Sequence, residues 1–489
     1  MPITRRLLDA ERAARVAHAE RSSAADVPHF PHAHRSVVAR VPALLAVVAG
    51  LAMMISITAS CSSSDGGGAP ADIDSGADAA PDADAPLTPD AGGAGPADAS
   101  LVDAAPLIIE CTEPPCAVSL TTTVTSAGLP QPNDEGYCAL LSDGTVACWG
   151  TNLEGQLGDP SRGTGSASPV RVPGLSNVKS LDRTCAVDAD GQAYCWGSGP
   201  FLQSTSTAIT TETSPVHLPL PGPATKVTFA AYRYNALGCA ILRDRTLTCW
   251  GSNANRQLDE SVALSERNAA PRAIDAVAGA RDITVGTASY AFFDDGPVKS
   301  WGSALTAGRP TSLDATGTPV EMPLDHVSML DAVGEEVCAV ANGVGWCWGT
   351  SDERVPPFGT TYSRAQPAPV DVPEPITTIA ASQTVRRSEE SIDYFHRRRW
   401  CATTVTGDVY CWGIGNAGQA GNGTKEFALE PVKVAGLPAP AAEVKIMPYS
   451  TCALLTTGKV YCWGSNYHGQ LGADLPKGSQ LWPVQVKLP

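Results

Sequence analysis

Residues 138–158 read CALLSDGTVACWGTNLEGQLG and place two cysteines ten positions apart, with Trp-Gly directly after the second. Similar phrases recur along the chain, and the repeated Trp-Gly pairs begin at Trp149, Trp196, Trp250, Trp301, Trp348, Trp412 and Trp463. The spacings between these tryptophans are 47, 54, 51, 47, 64 and 51 residues. Seven units of about fifty residues are typical of a propeller or a solenoid.

Each unit contains short β-type runs and Gly-rich turns, with no amphipathic helical stretch. In unit two the runs are SPVRVPGL, NVKSL and CAVDADGQAYC. Three or four short strands per unit are what a propeller blade requires. The sequence therefore predicts an all-β fold, a seven-bladed β-propeller over residues 116–489.

The spacing of the cysteines predicts a hairpin in each unit. If Cys138 faces Cys148 on an antiparallel strand, residues 142–144 remain as a three-residue loop. Such a loop favours a left-handed residue at its third position, where Gly144 stands. In unit five the two cysteines are only nine apart, and an Asn-Gly pair lies midway between them. Asn-Gly is the preferred two-residue hairpin turn, so the cysteines stay opposite each other.

Cross-strand disulfides explain this pattern. In unit four Tyr290 and Ser300 replace both cysteines together. Paired antiparallel strands hold Cα atoms about 4.5 Å apart, within bridging range. The alternative is a set of free, buried thiols. The expected disulfides, which imply an oxidising compartment, are Cys138–Cys148, Cys185–Cys195, Cys239–Cys249, Cys338–Cys347, Cys401–Cys411, Cys452–Cys462 and a small loop Cys111–Cys116.

The front of the chain has the features of an export signal. An N-terminal extension, residues 1–40, precedes an apolar and uncharged run over residues 41–60. The run ends in TASC, and Cys61 after small residues resembles the lipobox of bacterial lipoproteins, with Thr58 in place of the usual Leu. We expect lipidation at Cys61, a membrane attachment through that lipid, and an outer-membrane lipoprotein or extracellular location. A soluble secreted form and an uncleaved anchor remain alternatives.

Residues 61–115 are dominated by Asp, Ala, Gly and Pro and predict a disordered acidic tether. The net charge of -16 is concentrated near this segment, because residues 41–161 contain sixteen acidic residues and no Lys or Arg. The repeat region is close to neutral and has no broad basic stripe, so nucleic acid is not an expected partner. The run DADAPLTPDAGG lacks the mid-position Gly and the closing Glu of a calcium loop.

The tryptophan after each second cysteine is interpreted as core, a large ring packed between neighbouring units. A stacking platform for a sugar or a base is the alternative. The segment WGIGNAGQAG contains a formal G-x-G-x-x-G, but it opens no helix and lies in no βαβ pattern. It is the same Gly-rich turn as WGTNLEGQLG and WGSNYHGQLG, so it does not predict a nucleotide site.

The pattern C-A-L-L-x-x-x-G-x-V-x-C-W-G-x-N-x-x-G-Q-L-G resembles the regulator of chromosome condensation (RCC1-like) repeat, in the cysteine-rich form of secreted bacterial proteins. The resemblance covers residues 117–489 and implies a seven-bladed propeller. The founder of the family is a guanine-nucleotide exchange factor that docks on nucleosomes. No motif here matches its GTPase-contacting loops, so exchange activity is not expected. To close the ring, the terminal WPVQVKLP and the segment AVSLTTTVTSAG (117–128) are expected to meet in one composite blade.

Catalysis has little support in the sequence. The histidines after the apolar run, His217, His326, His396 and His468, lie in different units. No G-x-S-x-G or H-E-x-x-H motif occurs. We therefore expect a non-catalytic protein without a cofactor or a metal site. An enzyme with a site assembled across units remains an alternative.

The segment before the first cysteine of each unit varies most in length, and it is longest in unit six, SQTVRRSEESIDYFHRRRW (382–400). Equivalent segments emerge on one face of a propeller, which predicts a binding scaffold exposed at the bacterial cell envelope that recognises a protein or glycan there. The alternatives are a solvated insertion and a structural or adhesion component without a discrete ligand. The candidate partner-binding residues, which mix cations and aromatic rings, are Arg386, Arg387, Tyr394, Phe395, His396, Arg397, Arg398, Arg399 and Trp400.

Overall fold

The computed structural model describes residues 104–123, 134–232, 235–309, 314–351, 362–382, 386–389, 392–395, 399–473 and 475–489. These residues form an almost entirely β structure with two short 3-10 helices, Pro160–Arg162 and Asp275–Val277. The N-terminal extension, the apolar run, Cys61 and most of the predicted tether lie outside the described residues. None of the helices in the described ranges combines the length and the apolar character needed to cross a membrane.

Seven four-stranded antiparallel sheets, here called blades, follow one another along the described chain. The run SPVRVPGL, assigned to unit two from the sequence, instead contributes the fourth strand of blade 1. Blades 1 to 4 comprise β1 (Ala117–Thr122), β2 (Gly136–Leu141), β3 (Val146–Thr151), β4 (Gly165–Arg171); β5 (Val178–Asp182), β6 (Cys185–Asp188), β7 (Ala193–Gly199), β8 (Thr210–His217); β9 (Ala224–Tyr232), β10 (Asn235–Leu242), β11 (Leu247–Gly251), β12 (Ala269–Ala273); and β13 (Asp282–Val285), β14 (Ala288–Phe292), β15 (Lys299–Gly302), β16 (Thr316–Glu321).

The remaining units add the last three blades and one extra two-stranded ribbon. Their strands are β17 (Val327–Val333), β18 (Glu336–Ala341), β19 (Val344–Ser351), β20 (Tyr362–Pro369); β21 (Ile376–Ala381), β22 (Arg386–Glu389), β23 (Ile392–Phe395), β24 (Arg399–Thr404), β25 (Val409–Gly413), β26 (Ala428–Lys433); and β27 (Ala441–Ile446), β28 (Ser450–Leu455), β29 (Val460–Ser465), β30 (Ser479–Gln485). Blade 6 consists of β21, β24, β25 and β26, and β22 pairs with β23 in the ribbon.

The first strands of the seven blades surround a central channel. Each of them contacts the first strand of the next blade, and β27 contacts β1, so the contacts form a closed ring. The fourth strand of each blade is outermost, as the exposed residues along β8 and β16 show. The seven-bladed propeller predicted from the spacing of the Trp-Gly pairs is confirmed.

The antiparallel strand order gives the ring two distinct faces. In every blade, the connection from the first to the second strand and the connection from the third to the fourth leave at the same end. We call this end the loop face. The hairpin turns between the second and third strands, such as residues 142–145 in blade 1, lie at the opposite end, which we call the turn face.

Six hairpin disulfides join the second and third strands of six blades, and in each the Cα atoms are 4.1 Å apart. Blade 5 keeps its cysteines opposite each other with the two-residue turn Asn342-Gly343, whose φ angles are 53° and 74°. In blade 3, Arg245 adopts a φ of 65° at the loop position where other units have Gly. The seventh disulfide, Cys111–Cys116, has a Cα separation of 5.7 Å. Seven disulfides indicate an oxidising compartment.

The repeat tryptophans are buried in the cores between neighbouring blades. Trp196 of blade 2 packs against Cys138 and Cys148 of blade 1, and this arrangement recurs around the ring. Six of the indoles, counted within the described ranges, donate through Nε1 to a main-chain carbonyl in the third-to-fourth strand connection of the preceding blade. The interpretation of these tryptophans as core is confirmed.

Blade 4 has a buried polar cluster in place of the disulfide. Tyr290 and Ser300 remain direct cross-strand partners. The Tyr290 hydroxyl donates to the Thr306 carbonyl, and the Tyr290 ring lies edge-on to Trp348 with the ring centroids 6.3 Å apart. Arg309 donates to Ser300 Oγ at 3.0 Å and to the Ser300 carbonyl at 3.1 Å. The phenol ring lies against the next tryptophan, and Tyr290 and Ser300 each form hydrogen bonds with the connection that follows the third strand.

The ring closes between two complete blades, so the prediction of a composite blade is wrong. In the described chain β1 belongs to the sheet of blade 1 and β30 to the sheet of blade 7. A shared core joins these blades and includes Leu120, Trp149, Leu454 and Leu471. WPVQVKLP resembles SPVRVPGL because β30 and β4 are equivalent outermost strands, each in its own blade.

The tether was expected to extend to residue 115, but residues 104–116 already lie on the turn face. Ala104 is buried, and its Cβ lies 3.5 Å from where a Cβ on Gly343 would stand. The Glu110 amide donates to the Thr456 carbonyl at 2.7 Å. The predicted boundary is therefore wrong, because Ala104 is buried and partly buried Ile109 packs against the core shared by blades 7 and 1.

The Cys111–Cys116 loop is seated on the hairpin turn of blade 7. Cys116 is buried and lies against Gly458, where an added Cβ would be 2.7 Å from the Cys116 Cβ. The Ala117 amide donates to the Gly458 carbonyl at 2.9 Å. The loop therefore adds to the closure of the ring between blades 7 and 1.

Candidate recognition face

The first-to-second strand connections on the loop face differ greatly in length. In blades 2, 4 and 5 the connection is two residues long, residues 183–184, 286–287 and 334–335. In blade 6 it spans residues 382–398 and contains β22 and β23. The extra length of unit six thus lies on the face that the sequence predicted, and part of it forms a two-stranded ribbon.

The ribbon pairs arginine positions with aromatic positions. Arg386 is the cross-strand partner of Phe395, and Arg387 is the partner of Tyr394. The structure therefore brings four of the nine candidate residues together. Residues 396–398, which include His396, Arg397 and Arg398, lie outside the described part of the chain.

Arg399 and Trp400 are not residues of an exposed loop, and that prediction is wrong. Both belong to β24, where Trp400 pairs with Trp412 and stacks on it with ring centroids 6.1 Å apart. Arg399 is only 1% exposed. In blades 1, 5 and 7 the second strand also begins two residues before the first cysteine. The repeat itself therefore contained the signal that these two residues form strand.

Arg399 joins blade 6 to blade 7. Its Nη1 donates to the carbonyl oxygens of Met447 at 2.7 Å and Ser450 at 2.9 Å. Its Nη2 donates to the Gln419 carbonyl at 2.8 Å and to the Thr451 hydroxyl. Burial lowers the pKa of Arg399 to about 10, so the guanidinium remains charged at neutral pH.

A buried carboxyl group, Glu135 of blade 1, lies at the same end of blade 7. Its Oε1 accepts a hydrogen bond from the Tyr449 amide at 2.6 Å, and its Oε2 accepts one from the Ser450 hydroxyl at 2.5 Å. The Tyr137 hydroxyl lies 2.9 Å from the same Ser450 hydroxyl. Burial raises the pKa of Glu135 to about 7, although these hydrogen bonds and the Arg399 charge act in the opposite direction.

Charged side chains of both signs line the central channel. Lys226 Nζ lies 2.6 Å from a carboxylate oxygen of Asp282 and 3.9 Å from one of Asp182. Lys445 Nζ lies 3.6 Å from Glu443. No motif marked Lys226, Asp282 and Asp182, because they come from three different blades and meet only when the blades pack together.

No cluster suited to metal binding was found in the described residues: nowhere there do three or more His, Cys, Asp or Glu side chains group around a possible ion. His217 Nε2 lies 2.8 Å from the Gln192 side-chain oxygen, and its ring is edge-on to Tyr194. Both contacts are within blade 2.

Comparison with known sequences identifies the repeat. Residues 406–454 and 448–470 match the regulator of chromosome condensation (RCC1) repeat. The ultraviolet-B receptor UVR8 of Arabidopsis thaliana is 24% identical over 368 residues, which cover 72% of this chain and 68% of the receptor. The E3 ubiquitin-protein ligase HERC2 of Mus musculus is 25% identical over 368 residues, 69% of this chain, and the match spans only 7% of the ligase.

Solved structures share the same fold. Human WBSCR16 superimposes with a TM-score of 0.54 at 19% identity, over 71% of this chain and 95% of that protein. Prp20p of Saccharomyces cerevisiae superimposes with a TM-score of 0.51 at 15% identity, over 70% of this chain and 91% of that protein. At these identities the likeness shows the fold alone.

The ring, its hairpin disulfides and its interblade tryptophans define the class: a disulfide-stapled β-propeller built from sequence repeats. The repeat matches within residues 406–470 and the relatives support an RCC1-like repeat protein.

Proposed function

We propose that the protein is a non-catalytic binding scaffold of the bacterial cell envelope that recognises a protein or glycan partner through its loop face. The observation that carries the proposal is the β22–β23 ribbon of blade 6. It is inserted at a position where three other blades use only two residues. The fold therefore does not require it, and its register sets arginine positions opposite aromatic ones, a composition suited to partner recognition.

The strand that follows the ribbon is fixed to the propeller by hydrogen bonds and a disulfide. Arg399 begins the strand that follows the insertion, and its hydrogen bonds attach that strand to blade 7. The Cys401–Cys411 disulfide lies two residues further along the same strand. A fixed scaffold that presents a variable connection is the usual arrangement of recognition loops.

Attachment from the turn face is compatible with this role. Ala104 and Glu110 are bound on the turn face, so the chain reaches the propeller on the side opposite the ribbon. The proposal includes attachment through a lipid on Cys61, in an outer-membrane or otherwise exported protein. Among proteins of similar fold, yeast Prp20 has been crystallised in studies of its binding to Gsp1p, histones and Kap60, which supports a protein as the class of partner.

The test compares matched losses of positive charge on the two faces. One variant carries Arg386→Ser and Arg387→Ser in β22, and the control carries Arg243→Ser and Arg281→Ser, two exposed turn-face arginines. Full-length protein is immobilised, and saturable capture from envelope extract is measured. We expect the ribbon variant to lose a partner that the control retains. Equal capture by both variants would indicate a solvated insertion, and no saturable partner would indicate a structural component.

A further inference from the structure

Blade 7 is held from both sides at its loop-face end. Arg399 of blade 6 binds the carbonyl oxygens of Met447 and Ser450. Glu135 of blade 1 accepts hydrogen bonds from the amide of Tyr449 and the hydroxyl of Ser450. The short connection between β27 and β28 therefore lies between a buried cation and a buried carboxyl group.

This junction is the seam where the two ends of the propeller meet. In the described chain no strand is shared between blades 7 and 1, so side-chain packing and hydrogen bonds must hold them together. On the turn face the seam is held by the Cys111–Cys116 loop. On the loop face, hydrogen bonds from Tyr449 and Ser450 of blade 7 to Glu135 of blade 1 hold the seam.

The repeat shows that a buried carboxyl group is not a requirement of the fold. Glu335 stands three residues before the first cysteine of blade 5, as Glu135 does in blade 1, but its side chain is partly exposed. Asp182 of blade 2 is also partly exposed, and other blades have Ala236, Thr287 or Tyr449 at this position. Among the described carboxyl groups at this repeat position, Glu135 is the buried one.

The groups that face Glu135 keep their charge near neutral pH. Burial holds the pKa of Tyr137, on β2, above its ordinary range, so its hydroxyl stays neutral. Arg399, on β24, stays cationic, since its pKa is lowered only to about 10. The Tyr449 amide of the β27–β28 connection, the Ser450 hydroxyl of β28 and the Gln470 side chain after β29 contribute neutral dipoles. Glu135 is thus the group of this junction that changes charge in the physiological range.

The direction of the effect follows from linkage between proton binding and folding. Burial raises the pKa of Glu135 from 4.5 to about 7, so the closed seam binds this proton more tightly than an open or unfolded chain does. The stabilisation from this proton is complete below pH 4.5 and is lost as the pH rises through about 7. Above that pH an ionised carboxylate is held out of water, which opposes closure.

We propose that the seam between blades 7 and 1 is a proton-controlled joint, closed most firmly when Glu135 is neutral and loosened when Glu135 ionises. The joint concerns closure of the ring and does not depend on which partner the loop face binds. It makes the stability of the closed ring responsive to the pH of the surroundings.

The experiment compares the full-length protein with Glu135→Gln, which mimics the neutral acid, and with Glu335→Gln as the matched control. Thermal unfolding is followed from about pH 5.5 to about pH 8.5, a range that brackets the pKa of about 7 for Glu135. Hydrogen exchange is measured at the two ends of this range for the peptide containing Tyr449 and Ser450, with correction for the intrinsic rate.

We expect the midpoint of wild type and Glu335→Gln to fall by several degrees as the pH rises through about 7. Glu135→Gln should lose most of this dependence and melt above wild type at the alkaline end, with equal seam protection at both pH values. A Glu135→Gln variant that keeps the wild-type pH dependence, or that melts below wild type at the alkaline end, would overturn the proposal. Wild-type seam protection that does not change with pH would also overturn it, whether or not the variant folds.

Discussion

The indole Nε1 of Trp196 donates a hydrogen bond to the main-chain carbonyl of Gln156, 2.9 Å away, and so links blade 2 to blade 1. The ring of Trp196 lies in the core shared by these blades, against the Cys138–Cys148 pair. The repeated Cys-Trp-Gly phrase therefore has two structural functions. The cysteine closes a hairpin within one blade, and the tryptophan fastens that blade to its neighbour.

Replacing Trp196 by Phe should destabilise the protein by about 2–4 kcal/mol, because it leaves the buried Gln156 carbonyl unpaired and opens a small cavity. Urea unfolding followed by circular dichroism measures the change. The matched control is Trp482→Phe on the outermost strand of blade 7, where the side chain is 51% exposed and a change within about 0.5 kcal/mol is expected. Equal effects of the two substitutions would contradict the role assigned to the repeat tryptophan.

Two glycine substitutions can separate the cost of a steric clash with a neighbouring strand from the cost of an unfavourable φ angle. Gly150 and Gly174 both have positive φ, 101° and 78°. A Cβ on Gly150 would collide with the Glu135 carbonyl, whereas a Cβ on Gly174 would meet nothing within 4 Å. Gly174→Ala should therefore cost only the strain, about 1–2 kcal/mol, and Gly150→Ala clearly more. Similar losses in the free energy of unfolding would mean that the strands at Gly150 are farther apart than the structure shows.

Arg399 is expected to matter for stability. Arg399→Met leaves several carbonyl acceptors without their donor and should reduce the free energy of unfolding by about 3 kcal/mol or more. The control, Arg171→Met, removes an arginine that is 41% exposed and forms a 2.8 Å ion pair with Asp143, so a loss below about 1 kcal/mol is expected. If Arg399→Met left the free energy of unfolding unchanged but weakened partner capture, Arg399 would belong to the recognition surface instead.

Blade 4 should accept the disulfide that it lacks. Tyr290 and Ser300 are direct cross-strand partners, in the same relation as the bonded cysteines of the other six blades. The double substitution Tyr290→Cys and Ser300→Cys is expected to form an eighth disulfide under oxidising conditions, while either single substitution adds one free thiol to the wild-type count. Thiol titration of the denatured, unreduced protein, compared with wild type, distinguishes these outcomes. Two additional reactive thiols in the double variant would show that the register of blade 4 differs from the others.

Local features of the repeat could be predicted from the sequence because each depends on neighbouring residues. The hairpin register followed from the cysteine spacing and the turn residues, and the shortened Asn342-Gly343 turn kept it. The number of blades followed from the Trp-Gly spacing. The hairpin and the Trp-Gly pair recur in seven units. A single irregular turn residue, such as Arg245 where other units have Gly, therefore did not obscure the pattern.

Features that depend on closure of the ring could not be predicted in the same way. The partners of Arg399 and Glu135 lie on other blades, up to 315 residues away in the chain for Glu135 and Ser450. The channel charges, such as Lys226 and Asp282, also meet only across blades. The composite blade was wrong because the resemblance between terminal strands shows equivalent positions without showing that they share a sheet.

The central claim is a ring of blades, most of them closed by a disulfide within one hairpin, and non-reducing peptide mapping by mass spectrometry tests it most directly. The account predicts that every blade disulfide links cysteines nine or ten residues apart, from Cys138–Cys148 to Cys452–Cys462, and that Cys111 pairs with Cys116. Disulfides that join different blades, or fully reduced blade cysteines in the native protein, would contradict it.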